Sequence, residues 1–256
     1  MSKIIAVDLG GTNLRVALLQ GNKILKYTKR KTPKNKDKLL NELVKGIGEL
    51  ITDDVKAIGV GSPGPLKNGI IQNPPNLPFK NFNLKKYLQD KFKRKVVVEN
   101  DAKCVAMSEA KLGCRKRNFI ILTLGTGIGG GIIINHELYK GEGNAGELGH
   151  IILDNGKDFE TLWKEKNKKI KELFEKKQFK TLEKVCDYLG QGIASLINIF
   201  DPEVVIIMGG VRENGEKFLN MVRKKVKKYK MIPRNVEIKF SKLEHPGIIG
   251  AGLLVR

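Results

Sequence analysis

Residues 4–15 combine an apolar stretch with an acid, two glycines, a hydroxyl and a cation. Residues 4–7 read Ile-Ile-Ala-Val, Asp8 follows, and residues 10–15 read Gly-Gly-Thr-Asn-Leu-Arg. Glycine lets backbone N–H groups approach a phosphate closely, and a nearby carboxylate can orient a metal ion. The segment therefore predicts a buried strand that ends in a loop for a polyphosphate, as in nucleotide enzymes.

Two further glycine sites follow apolar stretches. Residues 120–124 lead into Gly125, Thr126 and Gly127, and residues 132–134 return as a strand, which predicts a hairpin. A dinucleotide-binding loop would open into a helix and a Walker loop would contain Gly-Lys-Ser/Thr, so neither motif fits. Residues 204–208 precede Gly209 and Gly210, where a flat ring or a phosphate could lie against the backbone. The alternatives are a ligand-free tight hairpin and close packing.

Asp101 lies between a predicted strand at 96–99 and a predicted helix at 102–112. Ligands collect at the carboxyl ends of strands in α/β sheets, so Asp101 is the candidate catalytic base. Asn100 beside it offers both a donor and an acceptor. The alternative for Asp101 is an ordinary helix cap.

Glu147 and His150 place a carboxylate and an imidazole three residues apart. Such a pair can bind a metal ion, bridge two sugar hydroxyls or cap a turn. The sequence alone leaves these three uses open.

The elements that position these residues repeat along the chain. Strands at 4–7, 16–19 and 23–28 form a predicted meander, and an amphipathic stretch at 36–50 leads to a strand at 57–60. Prolines keep residues 73–78 irregular. The pattern starts again from residue 118, so a duplicated unit forming two lobes around one cleft is predicted. A single three-layer sheet protein is the alternative.

Composition sets outer limits on the function. The chain has 256 residues, 41% hydrophobic content and a net charge of +21. Its apolar runs fall short of the roughly 20 residues that span a bilayer, so a cytoplasmic protein with no membrane partner is expected. Three cysteines without C-x-x-C spacing disfavour a disulfide framework and a structural zinc site.

Lysine alternates with glutamate at helical spacing, as in Glu172 and Lys176, which predicts solvated helix faces with no specific nucleic-acid partner.

The chain resembles the ROK family (repressor, open reading frame, kinase), whose sugar kinases have the actin-like ATPase fold. Seven motifs carry the resemblance in family order, at residues 8–15, 62–64, 75–78, 99–102, 124–131, 145–150 and 198–210. The resemblance implies an α/β protein of the hexokinase-type, ribonuclease H-like fold with two lobes around a central cleft. The expected small lobe is residues 1–100, with 246–256 as a candidate addition. The larger lobe is residues 101–245, carrying nucleotide-binding and sugar-binding elements.

The resemblance also implies residue roles. Asp101 would take the proton from the sugar 6-hydroxyl as its oxygen attacks the γ-phosphate of ATP, and Asn100 would hold neighbouring hydroxyls. Asp8 would orient hydrated Mg²⁺. Further sugar contacts are implied for Gly64, Asn76, Glu147 and His150. Nucleotide contacts are implied for Gly10, Gly11, Thr12, Asn13, Arg15, Gly125, Thr126, Gly127, Gly209 and Gly210.

One departure from the family pattern is large. Family members follow Gly-His with a Cys-x-Cys-Gly-x-x-Gly-Cys-x-Glu cluster, whose thiolates hold zinc together with that histidine. Here residues 151–159 contain no cysteine. A structural zinc ion takes about four ligands, so no zinc is expected and His150 must be oriented by hydrogen bonds or packing. Glu160 is matched to the sugar-binding glutamate at the end of the cluster.

The expected function is ATP-dependent phosphorylation of a hexose, with glucose as the expected substrate and ATP and Mg²⁺ as cofactors. N-acetylmannosamine, fructose or allose, or another phosphoryl donor, are the alternatives within the kinases. A sugar-sensing repressor is the alternative outside them, although such regulators carry an N-terminal helix-turn-helix domain and this sequence starts at the first phosphate strand. The expected partners are a sugar and a nucleotide. The sequence does not fix the oligomeric state, and a homodimer is the candidate that the resemblance implies because dimers are common in the family.

Overall fold

The computed structural model describes residues 2–166 and 170–256 as alternating strands and helices. The elements in the first part are β1 (Lys3–Leu9), β2 (Asn13–Gln20), β3 (Lys23–Lys31), α1 (Lys36–Gly48), β4 (Val55–Ser62), β5 (Leu66–Lys67), β6 (Ile70–Ile71), β7 (Phe82–Asn83), α2 (Leu84–Phe92), β8 (Lys95–Asn100) and α3 (Asp101–Ser108). Those in the second part are β9 (Phe119–Leu124), β10 (Ile128–Ile134), β11 (Glu137–Leu138), β12 (Ile152–Asp154), β13 (Lys157–Asp158), α4 (Phe159–Lys166), α5 (Ile170–Glu175), α6 (Phe179–Phe200), β14 (Val204–Met208), α7 (Gly215–Tyr229), β15 (Glu237–Phe240) and α8 (Pro246–Leu253).

The contacts divide the chain into two compact units. The first unit contains Met1–Cys114, Lys140–Asn144 and Leu243–Arg256. The second unit contains Arg115–Tyr139 and Ala145–Lys242. The boundary thus follows Cys114, whereas the sequence placed it after residue 100, because α3 packs on α8 and on β4 within the first unit.

The first unit is built on a five-stranded sheet in the order β3-β2-β1-β4-β8. The β1-β2 and β2-β3 pairs are antiparallel, whereas β1-β4 and β4-β8 are parallel. Side chains alternate across β1, so Ile5, Val7 and Leu9 share one core with leucines of α1 and α2. Ala6 packs on the opposite face with Cys104 of α3 and Ala251 of α8. Asp8 follows the same alternation as Ala6 and belongs to the α3 and α8 face.

The second unit repeats this arrangement in the order β11-β10-β9-β14-β15. The first two pairs are again antiparallel and the last two parallel. The β9-β10 pair is the hairpin that the glycine turn predicted. The helices α4 to α7 contribute the apolar side chains that cover this sheet, among them Phe159, Leu189 and Phe218. The repeated sheet confirms the duplication predicted from the sequence.

The helix predicted at 102–112 ends earlier than expected. A π-helical turn, Glu109–Gly113, follows α3, and the N–H of Cys114 donates to the carbonyl of Glu109 (2.7 Å). The missing side chain of Gly113 lets the buried Glu109 carboxylate pack on the backbone there.

No helix within the described residues is long and apolar enough to cross a membrane.

Candidate active site

A tight, braced turn joins β1 to β2 in the first unit. The N–H of Gly10 donates to the carbonyl of Asn13 (3.0 Å), which closes the turn. The hydroxyl of Thr32 donates to the carbonyl of Gly10 (2.6 Å), and Lys34 Nζ donates to that of Gly11 (2.9 Å). Thr12 at the tip is exposed. The carbonyls are thus engaged by the segment after β3, so the loop has the fixed backbone that an anion site needs.

Asp8 and Arg15 form an ion pair beside this loop. They face each other in the β1-β2 register, and Arg15 Nη1 lies 2.7 Å from Asp8 Oδ2. Burial raises the pKa of Asp8, and the adjacent Arg15 opposes that rise. The start of α8 lies close by, since a Cβ on Gly247 would stand 3.4 Å from the Asp8 carboxyl carbon. Arg15, predicted as a nucleotide contact, is therefore engaged with the carboxylate predicted to orient magnesium.

Asn100, and not Asp101, caps α3. The side-chain oxygen of Asn100 accepts from the N–H groups of Ala102 (2.9 Å) and Lys103 (3.2 Å). Asp101 is the first residue of the helix. Asp101 Oδ1 also accepts from the N–H of Ala102 (2.8 Å), so both side chains bond to the first turn while Asn100 occupies the cap position. The cap uses the Asn100 oxygen, and the amide nitrogen of Asn100 takes no part in it.

The strand register brings the predicted residues of the first unit to one edge of its sheet. Asp8 pairs with Gly61 across β1 and β4, and Ser62 pairs with Asn100 across β4 and β8. A Cβ on Gly61 would lie 3.5 Å from the Cα of Asp101. Burial raises the pKa of the Cys104 thiol, and the neighbouring carboxylates of Glu99, Asp101 and Asp8 raise it further. Asp8 and Asp101 therefore lie at the same edge.

The irregular segment at 73–78 lies against the glycine turn at residues 10–12. A Cβ on Gly11 would stand only 2.6 Å from the Cβ of Asn76. Gly64 has a φ of +89° and packs against Pro74. A Cβ on Gly64 would lie 2.7 Å from the Cβ of Pro74. Gly11 and Asn76 are thus in direct contact, and Gly64 contacts the same segment.

Sequence reasoning missed a buried lysine two residues after Asp101. Lys103 is only 2% exposed, and its Nζ donates to the carbonyl of Gly143. Lys103 Nζ also lies 4.0 Å from Glu99 Oε1, and Lys140 Nζ lies 2.7 Å from Glu99 Oε2. These contacts fasten Lys140–Asn144 to the first unit. A lysine within an otherwise apolar helix stretch was the available signal.

In the second unit, the two glycine sites predicted to hold nucleotide lie side by side. The parallel register pairs Thr123 with Met208, so the turn after β9 and the turn after β14 leave the sheet at the same edge. Gly209 has a φ of +113°, and a Cβ there would overlap the carbonyl of Leu124. Space around Gly125 and Gly210 is open, with no atom within 4 Å of a hypothetical Cβ.

Helix α4 supports the hairpin turn at 125–127. Trp163 Nε1 donates to the carbonyl of Gly125 (3.0 Å), and Glu160 Oε2 accepts from the N–H of Ile128 (2.7 Å). The other Glu160 oxygen pairs with Lys164. A Cβ on Gly127 would lie 2.8 Å from the Glu160 carboxyl carbon. Glu160, predicted as a sugar contact, is in this structure bonded to the hairpin.

His150 closes a short 3₁₀ helix, Leu148–His150, and pairs with an aspartate that sequence reasoning missed. His150 Nδ1 lies 2.7 Å from Asp158 Oδ2. This hydrogen bond raises the pKa of His150, and the charges of Glu160 and Glu147 add to the rise. Glu147 and Glu160 therefore lie near the imidazole. The Asn155-Gly156 dipeptide, a strong hairpin signal, was the clue that Asp158 folds back toward residue 150.

The predicted site residues divide between the two units. The first unit holds Asp8, Gly10, Gly11, Thr12, Asn13, Arg15, Gly64, Asn76, Asn100 and Asp101. The second holds Gly125, Thr126, Gly127, Glu147, His150, Glu160, Gly209 and Gly210. Within each unit the structure places these residues near one another. Over the part of the chain that the structure describes, no group of three or more His, Cys, Asp or Glu side chains is arranged to hold a metal ion.

Comparison with known proteins shows one family throughout. The ROK family model matches residues 4–162 and 156–256. The glucokinase of Thermotoga maritima is 32% identical over 310 residues, a match that covers 99% of this chain and 97% of that protein. The xylose repressor of Caldicellulosiruptor bescii is 28% identical over 309 residues, covering 97% of this chain and 76% of that protein.

The same family appears among solved structures. A ROK family glucokinase from Streptomyces griseus, crystallised with glucose and AMPPNP, has a TM-score of 0.84 and 25% identity. The match covers 98% of each chain. This likeness confirms the predicted fold class, an α/β protein of the actin-like ATPase type.

Proposed function

The chain belongs to the ROK family, and from that premise we propose that it is an ATP-dependent kinase that phosphorylates the 6-hydroxyl of a hexose, with glucose as the expected substrate. The observation that carries the proposal is the shared sheet edge of the first unit. A carboxylate at the start of α3, Asp101, lies there with a second carboxylate, Asp8, and with a braced glycine turn. Phosphoryl transfer needs mainly positioning, charge neutralisation and one base.

Asp101 is proposed as the general base. In the reaction, the sugar 6-oxygen forms a bond to the γ-phosphorus of ATP while the bond from that phosphorus to the β-γ bridging oxygen breaks. The proton of the hydroxyl passes to a carboxylate oxygen of Asp101, and ADP leaves with the electron pair. Asn100, fixed by its cap to α3, offers its amide nitrogen to a neighbouring hydroxyl.

The phosphates are proposed to lie against the glycine turns at residues 10–12 and 125–127, in which the N–H groups of Gly10 and Gly125 close the turns themselves. Gly209 and Gly210 are proposed to lie beside the adenosine. Asp8 suits a hydrated magnesium ion, because Mg²⁺ prefers carboxylate and water oxygens. When bound, Mg²⁺ supplies positive charge that offsets the charge on the phosphate oxygens. Arg15, paired with Asp8 at 2.7 Å, holds that carboxylate in place.

Sugar recognition is proposed for Gly64, Asn76 and Asn100 in the first unit and for Glu147, His150 and Glu160 in the second. Glu160 also accepts from the N–H of Ile128 and so supports the hairpin proposed to hold nucleotide. A change at Glu160 would therefore affect both the sugar contact and that hairpin. Epimeric hexoses differ by one hydroxyl, and a site that hydrogen-bonds that hydroxyl rejects the wrong epimer strongly. N-acetylmannosamine, fructose and allose are the competing substrates.

The test is ADP release by purified protein with MgATP and a panel of hexoses that includes the four sugars above. Release that depends on a sugar, and is highest with glucose, supports the proposal. Preference for another sugar would replace glucose, and turnover with polyphosphate but not ATP would replace the donor. No turnover with any sugar, while glucose still binds, would favour the alternative of a sugar-sensing regulator; the similar protein from Caldicellulosiruptor bescii is a xylose repressor.

A further inference from the structure

The segment between His150 and α4 is a β-hairpin that returns the chain to His150. Strands β12 and β13 pair Ile152 with Asp158, and the N–H of Phe159 donates to the carbonyl of Ile151 (2.9 Å). Asn155 and Gly156 form the turn with φ values of +46° and +76°. An Asn-Gly turn of this kind matches the twist of its strands, so it fixes the register without any bound group. The turn therefore places Asp158 beside the imidazole of His150.

Asp158 is itself held rigidly. One carboxylate oxygen, Oδ1, accepts from the N–H of Thr161 (2.7 Å) at the start of α4. The other, Oδ2, lies 2.7 Å from His150 Nδ1. The Asp158 side chain is 20% exposed, against 56% for that of His150. The Asp158 carboxylate is therefore held at the start of α4, and it orients the imidazole of His150.

The residues around His150 do not fit a zinc ion. Zinc in a structural site takes about four nitrogen, sulfur or carboxylate ligands. No cysteine occurs between Cys114 and Cys186. The described residues near His150 contain no set of three ligating side chains with metal geometry. In place of the family's zinc-binding loop, this chain has a hairpin whose Asp158 pairs with His150.

We propose that the hydrogen bond from His150 to Asp158 takes over the orienting role of the family's zinc ion, holding Nδ1–H on Asp158 and presenting Nε2 to a sugar hydroxyl. An ionised carboxylate can only accept, so His150 Nδ1 must carry the proton in this pair. The neutral ring then has Nε2 as its acceptor. The sugar contact rests on the proposed function, whereas the tautomer and the absence of zinc do not.

Long-range ¹H–¹⁵N NMR of the imidazoles tests the tautomer directly. The chain has three histidines, His136, His150 and His245, and a His150→Gln variant assigns the signals of interest. At a pH well above the pKa of the ring, His150 is expected as the Nδ1–H tautomer. Asp158→Ala is expected to return it to the Nε2–H form that free imidazoles favour. An Nε2–H form in the wild type, or no change in Asp158→Ala, would overturn the proposal.

Two variants separate orientation from folding. Asp158→Asn keeps a side-chain oxygen for the α4 cap, so it covers the case in which Asp158→Ala fails to fold. It is expected to leave the unfolding midpoint near that of the wild type while weakening the Nδ1–H preference. Asp154→Asn changes an aspartate on the same hairpin and is expected to leave the tautomer unchanged. A tautomer shift in Asp154→Asn equal to that in Asp158→Asn would refute a specific role for Asp158.

Kinetics and metal analysis complete the test. Removal of an orienting partner costs about 10- to 100-fold where the oriented ligand matters, so Asp158→Asn is expected to raise KM for the sugar by about that factor with KM for MgATP unchanged. Equal changes in both constants would contradict the proposal. Elemental analysis of untagged protein is expected to find far less than one zinc per chain. One tightly held zinc per chain would overturn the metal-free arrangement even if no kinase activity were found.

Discussion

Asp101→Asn is the substitution that isolates the proposed base from the structure around it. Asn100 caps α3 through its own side chain, and Asp101, the first residue of the helix, accepts from the N–H of Ala102 (2.8 Å). Asparagine has almost the same size and keeps the polar contacts of a carboxamide, but it cannot take the proton of a hydroxyl. The variant therefore removes the proton acceptor and leaves the cap intact.

The expected loss of turnover in Asp101→Asn is much larger than the expected loss of folding stability. A general base contributes about 10²- to 10⁴-fold to the rate. At about 1.4 kcal/mol per tenfold, that equals about 3 to 5 kcal/mol of activation free energy. The folding cost includes the charge of Asp101 at the start of α3, about 0.3 to 1 kcal/mol from the helix dipole, while the side-chain oxygen of asparagine can still accept from the N–H of Ala102. Turnover should thus fall by at least two orders of magnitude in a protein that is still folded.

The assay is steady-state ADP release together with sugar binding by calorimetry and unfolding in urea. Asp37→Asn is the matched control, because Asp37 also lies in the first turn of a helix, α1, whose cap is likewise an asparagine, Asn35. The control should retain wild-type turnover and lose a similar small amount of stability. If Asp101→Asn lost no more than about threefold in turnover, the loss would be far smaller than removal of a general base causes. That result would refute the assignment of Asp101 as the base.

Three other predictions follow from contacts in the two units. Gly11→Ala places a Cβ 2.6 Å from that of Asn76, so we expect a loss of about 1 to 3 kcal/mol in urea unfolding and a higher KM for MgATP; wild-type values for both would contradict the contact. Asp8→Asn should raise the Mg²⁺ concentration needed for half-maximal activity without raising KM for the sugar, and an unchanged magnesium titration would count against Asp8. Burial raises the pKa of Cys186 to about 12, so its thiol should stay unlabelled by Ellman's reagent at about pH 8 until the protein is unfolded in guanidinium, and rapid labelling of native protein mapped to Cys186 would contradict that burial.

The sheets could be predicted because their signals are local. Apolar runs ending in glycine turns gave the β1-β2 and β9-β10 hairpins, and the repeated order of elements gave the duplicated sheet. Asn100 and Asp101 were placed at a strand end by the same reasoning. What the local pattern could not decide was which of the two caps α3, since both types favour that position.

The remaining features depend on residues far apart in sequence. Lys103 is buried because it meets the carbonyl of Gly143 and the carboxylate of Glu99, and a single helix pattern contains no sign of that partner. Glu160 was matched by alignment to a sugar contact, but its carboxylate bonds to Ile128 because α4 packs on the β10 side of the hairpin. Asp158 was overlooked although its Asn-Gly turn was readable.

The proposed phosphoryl transfer from ATP to the 6-hydroxyl of a hexose can be followed in the product itself by ¹H–³¹P correlation NMR. With MgATP and glucose, we expect one new phosphomonoester for each ADP formed, with its phosphorus coupled to the two protons on carbon 6. The same mixture with the Asp101→Asn variant should form it at least about 100-fold more slowly. ADP and inorganic phosphate without a phosphosugar, or a phosphorus coupled to another ring position, would rule out transfer to the 6-hydroxyl.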